Sequence, residues 1–175
     1  MTEATSEIVL LQERTGYEMV QLTAWPTTDA QTRLAVSAML GLEPPNRPNT
    51  VSALGPLRIL ALGPLRWLIV RPARTPCLTD GLAATLTCDT ATVVDLSAGR
   101  CALTVSGERS RELLAKHLPL NLSEPAFPAG HCAQTAAGHI GVLLHAESRH
   151  TFAVYVYRSF ARHLAEMLTD TSLAS

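Results

Sequence analysis

Six histidines and four cysteines are the side chains of this sequence best suited to hold a metal or attack a carbonyl, and their spacing argues against both uses. His117, His131, His139, His145, His150 and His163 all lie beyond residue 116. A zinc site draws on close ligand pairs, a C-x-x-C or an H-x-x-x-H on one helix, and the sequence contains neither. His139 and His145 share strand parity but sit at opposite ends of one expected strand. His131 and Cys132 are adjacent and so point to opposite faces if extended. Cys77, Cys88, Cys101 and Cys132 are 11, 13 and 31 residues apart, a spacing that makes no disulfide framework. They read as small hydrophobes.

Nucleophilic and phosphate chemistry fare no better. Ser106-Gly107 lacks the G-x-S-x-G elbow of a serine hydrolase, and Ser106 is expected to cap a helix instead. The one lysine, Lys116, is followed by His117 rather than Ser or Thr, which removes a phosphate-binding P-loop. No G-x-G-x-x-G is present. Asp95 is the carboxylate best placed for partial burial, and a bond to the turn at Ala98-Gly99 accounts for it. No residue is therefore assigned a catalytic, cofactor-binding or metal-ligating role.

Composition points the same way. The 175 residues carry a net charge of -1, so nothing draws the chain to nucleic acid. Hydrophobic residues make up 47% and charged residues only 17%, with a mean hydropathy of +0.16. The apolar runs Ile59–Leu62 and Trp67–Val70 stop far short of the roughly 20 residues of a membrane span. The surplus of apolar side chains is expected to face another protein chain. Thirteen arginines against Lys116 fit either an interface preference for Arg or a codon bias. With no secretory pattern in the first fifteen residues, the expected compartment is the reducing cytoplasm.

The elements that would position these side chains follow from periodicity. Residues 1–16 are expected to form an N-terminal arm, and 17–175 a single domain with halves at about 17–90 and 91–170. A strand is predicted over Tyr17–Trp25, and a helix over Ala30–Leu40 with Leu34, Ala38 and Met39 as its apolar stripe and Gly41 as C-cap. A stiff loop covers Glu43–Thr50. The word Leu-Gly-Pro-Leu-Arg occurs at 54–58 and again at 62–66. It introduces strands Leu57–Leu62 and Arg66–Val70, joined at Gly63-Pro64-Leu65. A short helix, Thr79–Leu86, is expected to be capped by Thr79 or Asp80.

Thr92–Val105 then reads as a hairpin, with Val94 and Leu96 on one face of its first strand and Cys101, Leu103 and Val105 on one face of its second. A helix from Ser106 to His117 is expected to bury Leu113, Leu114 and Leu118. A hairpin at His131–His145, a strand at His150–Tyr157, and a last helix striped by Phe160, Leu164, Met167 and Leu168 complete the chain. The fold class is α+β, with antiparallel sheet, helices on one face, and two tandem β-α-β-β-type halves.

The segments Val94-Asp95-Leu96-Ser97, Leu103-Thr104-Val105-Ser106-Gly107, Phe127 to Thr135 and Tyr157-Arg158-Ser159-Phe160-Ala161 together resemble the gamma subunit of heterotetrameric sarcosine oxidase. Leu62-Gly63-Pro64 before Trp67-Leu68 fits the same family, and the likeness runs from about Tyr17 to Leu168. It implies a fold like a domain of the folate-binding aminomethyltransferases. It also implies a non-catalytic subunit of a flavoenzyme that oxidatively demethylates sarcosine or a related N-methyl amino acid. The implied partners are alpha, beta and delta chains carrying FAD, FMN, NAD and zinc, with tetrahydrofolate possible for the complex. The competing reading is a stand-alone folate-binding aminomethyltransferase-like protein. Against it stand the missing Lys-Gly-Cys motif of folate-dependent repair relatives and the short chain.

Overall fold

The computed structural model describes residues 10–173, so residues 1–9 of the expected arm lie outside the described residues. Its strands are β1 (Leu10–Arg14), β2 (Tyr17–Ala24), β3 (Val51–Leu54), β4 (Leu57–Gly63), β5 (Arg66–Pro72), β6 (Ala91–Asp95), β7 (Arg100–Ser106), β8 (Cys132–Ala137), β9 (Ile140–Ala146) and β10 (Thr151–Tyr157). The helices are α1 (Asp29–Leu40), α2 (Leu78–Thr85), α3 (Ser110–Ala115) and α4 (Arg158–Leu173). The strands form two five-stranded sheets, ordered β3-β4-β5-β2-β6 and β1-β7-β10-β9-β8. Pairings β1–β7, β9–β10, β2–β5, β2–β6, β3–β4 and β4–β5 are antiparallel. This is the α+β architecture anticipated from periodicity.

The chain divides into two compact units, here unit I (15–100 with 130–133) and unit II (10–14, 101–129 and 134–173). Each runs β-α-β-β-β-α, from β2 to α2 in unit I and from β7 to α4 in unit II. In unit I, α1 and α2 pack over the sheet around Val20, Leu22, Val36, Ile59, Trp67 and Leu82, all buried. The strands of this core alternate: Leu57, Ile59 and Ala61 join the helices while Arg58 does not, as period-two geometry requires. In unit II, the core includes Cys101, Leu103, Val105, Leu113, Leu114, Leu118, Leu164 and Leu168, all buried as expected.

The repeated Leu-Gly-Pro-Leu-Arg word folds two ways. Leu54 pairs with Leu57, leaving Gly55-Pro56 as a two-residue turn with Gly55 at φ +53°. Gly63 pairs with Arg66, so the second turn is Pro64-Leu65, with Leu65 at φ +58°. A positive φ at the second central position favours glycine. Leu65 holds it because its side chain packs on the unit I core and its carbonyl accepts the Ala24 N–H at 2.9 Å.

Several expectations are overturned. β6 and β7 form no hairpin: β6 joins β2 in one sheet, and β7 pairs with β1 in the other. On β6 the side chains packed on the core are Ala91 and Val93, while Val94 is exposed. Ser106 caps nothing. It ends β7 opposite Leu10, and α3 begins only at Ser110 after Gly107. On α1 the buried stripe is Thr32, Val36 and Leu40, and Leu34 is 73% exposed. Thr32 is tolerated inside because its hydroxyl donates to the Thr90 carbonyl at 3.3 Å. α2 is capped by Cys77, whose sulfur accepts the Asp80 N–H at 3.4 Å, rather than by Thr79 or Asp80. Phe160 is an exposed residue of α4 rather than part of its buried stripe. Leu10–Arg14, assigned to the arm, form β1.

Candidate functional site

Among the described residues, two ion pairs have both partners largely buried, one in each unit. In unit I, Glu18 and Arg71 face each other across β2 and β5, their side chains 12% and 6% exposed. The Arg71 Nε donates to Glu18 Oε2 at 2.7 Å and its Nη2 to the Pro76 carbonyl at 2.8 Å. The other carboxylate oxygen accepts the Leu78 N–H at 2.8 Å, satisfying one orphan donor in the first turn of α2. The pair therefore fixes where α2 starts.

In unit II, Arg14 on edge strand β1 donates through both Nη atoms to Glu147, just beyond β9, and through Nε to the Thr104 hydroxyl of β7 at 2.6 Å. His145 is 2% exposed, with its Nδ1 4.0 Å from Glu147 Oε1. This network ties the edge strand to a turn that is 133 residues away in sequence. Among the described residues it is the nearest approach to an acid–base constellation. The bidentate guanidinium already occupies the Glu147 carboxylate, the geometry of a clamp.

The other residues singled out from the sequence are dispersed. The Asp95 Oδ1 accepts the Ser97 N–H at 2.8 Å, and hydrogen bonds from Ser97 hold this carboxyl below its usual range. The partner is Ser97, not the Ala98-Gly99 turn. The His117 Nε2 lies 2.8 Å from the Thr171 hydroxyl, which itself donates to the Met167 carbonyl, so the ring is the donor. Burial, with Lys116 adding, pushes the His117 pKa down. His131 bridges Thr50, His139 lies in the turn before β9, His150 precedes β10, and His163 is exposed on α4.

Burial pushes the Cys132 thiol up to about 12 and Cys101 upward as well. A hydrogen bond with the Asp80 side chain raises Cys77, outweighing the Asp80 backbone N–H, which lowers it. A thiol nucleophile needs the opposite shift. Among the described residues no group of three or more His, Cys, Asp or Glu side chains could hold a metal ion. No helix among them is long and apolar enough to cross a membrane.

Sequence reasoning passed over both ion pairs. Glu18 and Arg71 carried a signal, since Glu18 is the lone charge of β2 and Arg71 directly follows the apolar run Trp67–Val70, and each must find a partner when buried. Glu147 carried none, lying in the polar stretch between β9 and β10.

A sarcosine oxidase, gamma subunit family model matches residues 26–174. The chain belongs to that family. Among solved structures it is similar to a chain of heterotetrameric sarcosine oxidase from Corynebacterium sp. U-96, in complex with pyrrole 2-carboxylate. The TM-score is 0.88 at 26% identity, covering 98% of this chain and 87% of that one. It also resembles the glycine cleavage system aminomethyltransferase T from Bartonella henselae, with a TM-score of 0.66 at 16% identity. That match covers 94% of this chain but spans only 46% of the transferase, and it shows shared fold alone. Comparison with curated proteins gives no match.

Proposed function

We propose that this gamma-family chain is a structural subunit of a heterotetrameric, sarcosine oxidase-like flavoenzyme that oxidatively demethylates sarcosine or a related N-methyl amino acid. It supports assembly with alpha, beta and delta partner chains and supplies no catalytic residue. In this reading FAD, FMN, NAD and zinc belong to the partners, as does any tetrahydrofolate the complex uses. The observation that carries the proposal is the likeness to a heterotetrameric sarcosine oxidase chain over 98% of this sequence. The clamp geometry of Glu18–Arg71 and Arg14–Glu147 supports it.

The test is turnover per assembled flavin, which separates assembly from chemistry. Substituting Asp95, His139 or His145 is expected to change the yield of complex and leave turnover per flavin unchanged. A fully assembled complex losing about a hundredfold in kcat, about 2.7 kcal/mol of transition-state stabilisation, would place a catalytic residue on this chain. A chain that stays apart from the partners and binds tetrahydrofolate stoichiometrically would favour the stand-alone aminomethyltransferase-like reading.

A further inference from the structure

Unit I carries a cleft of about 230 Å³ where three segments converge: the end of α1 at Leu40, the tip of the β3–β4 hairpin at Leu54, Pro56 and Leu57, and the segment leaving β5 at Pro72–Arg74. The walls are apolar, and Leu54 is 52% exposed. Pockets that enclose a drug-sized molecule run from about 300 to 1,000 Å³, so this cleft is sized for one or two side chains rather than a flavin or folate.

Its charge is one-sided. Arg71 reaches the cleft but is neutralised by Glu18 at 2.7 Å. Arg74 is exposed and, among the described residues, makes no hydrogen bond or ion pair. No carboxylate lines the cleft. An apolar slot beside one uncompensated guanidinium is complementary to an apolar side chain next to a carboxylate, and arginine pairs with carboxylates through two parallel hydrogen bonds. A second groove, about 420 Å³ beside α4, has its arginines engaged already, with Arg158 3.8 Å from Glu13 and Arg162 2.8 Å from Glu166. Of these two, the first presents a guanidinium without an ion-pair partner.

We infer that the Leu54–Arg74 cleft is a docking site for a partner subunit, receiving one of its apolar side chains while a neighbouring carboxylate pairs with Arg74. The inference rests on the gamma-subunit reading and deepens it. Both residues are exposed, so their replacement leaves the fold intact, and an unchanged unfolding midpoint of each variant verifies this.

The experiment titrates the purified chain against the assembly of its three partner chains at low and at physiological salt. Arg74→Glu is expected to weaken binding tenfold or more and to abolish its loss with added salt. Arg74→Gln should give a smaller loss of the same kind. Leu54→Asp should weaken binding at least tenfold at both salt levels. Wild-type affinity in all three variants overturns the inference while leaving the gamma-subunit reading standing. Failure of the wild-type chain itself to bind overturns both. Variants that alter self-association but not partner affinity assign the cleft to a second copy of this chain and overturn the inference as well.

Discussion

Units I and II share an element order and a strand order but complete their sheets differently. In each sheet the three strands following the first helix lie side by side, β3-β4-β5 or β8-β9-β10, and the strand preceding that helix, β2 or β7, flanks the last of them. The fifth strand is the difference. Unit I takes β6, the strand that follows its own second helix, whereas unit II takes β1 from the start of the chain. From the last position of β1, Arg14 ties this strand across the sheet by reaching Thr104 and Glu147. In unit I the comparable ion pair, Glu18–Arg71, is spent on the start of α2 instead.

The sharpest way to break this comparison is to remove residues 1–14. Unit II then loses five strand pairings, Leu10 to Arg14 against Ser106 to Ala102, and leaves Glu147 without its guanidinium. Orphaning a buried ionic partner alone costs about 3–5 kcal/mol, less to the extent that water reaches this pair. Amide exchange is expected to lose protection in β7 while β4 and β5 keep theirs. Equal loss in both sheets would show that β1 is not specific to unit II.

Core truncations come next in size. Leu114 in unit II and Leu82 in unit I are both buried beneath or within their helices. Leu114→Ala and Leu82→Ala should each cost about 2–5 kcal/mol by opening a cavity, read from denaturant unfolding. Leu114→Ala is also expected to reduce the yield of assembled complex. If either change costs under 1 kcal/mol, that leucine is not part of the packed core described above.

How far these differences could be read from sequence depends on what decides each one. The existence of β2 and β7 was legible from apolar alternation, and that of β4 and β5 from short apolar runs bounded by Gly-Pro and Arg-Pro. Pairing was not. Consecutive strands pair about two times in three, and β6–β7 is an exception: the chain turns at Leu96–Gly99, where the Leu96 carbonyl accepts the Gly99 and Arg100 N–H groups, and then enters the other sheet. The stripe of α1 was misplaced onto Leu34, Ala38 and Met39 because Leu34 and Ala38 recur at the same four-residue spacing as Thr32, Val36 and Leu40. The winning set contains a threonine whose acceptor, Thr90, is 58 residues away. The candidate site was legible only as dispersed histidines and cysteines, since clamps joining residues 14 to 147 and 18 to 71 are made by tertiary folding.

The two units can also be set apart by pH, and on the alkaline side the reporter is Cys132 of unit I. Its thiol is buried against the Thr50 and Ala61 carbonyls, and its pKa rises from 9.0 to about 12. The unfolded chain releases this proton first, so the contribution is whole below pH 9 and is lost as pH rises toward 12. The slope is about 1.4 kcal/mol per pH unit. Unfolding free energy measured from pH 8.5 to 10.5 should fall less steeply in Cys132→Ala than in the wild type. Parallel slopes would mean that the thiol ionises as readily folded as unfolded.

The smallest effect is expected on the acid side, from unit II. Burial and Lys116 hold the His117 pKa below 6.5, so the folded ring stays neutral while the unfolded chain begins to bind a proton. The contribution is complete above pH 6.5 and is lost as pH falls toward the folded-state pKa. His117→Gln keeps a donor for Thr171 and removes the titration, so the acid limb should flatten in this variant with little change at pH 7.5. Only the imidazole signal of His117, followed by NMR through the same range, distinguishes this from a general acid effect. A His117 midpoint at or above 6.5 would leave the contact with Thr171 in place but remove any pH dependence of that kind from the α3–α4 junction.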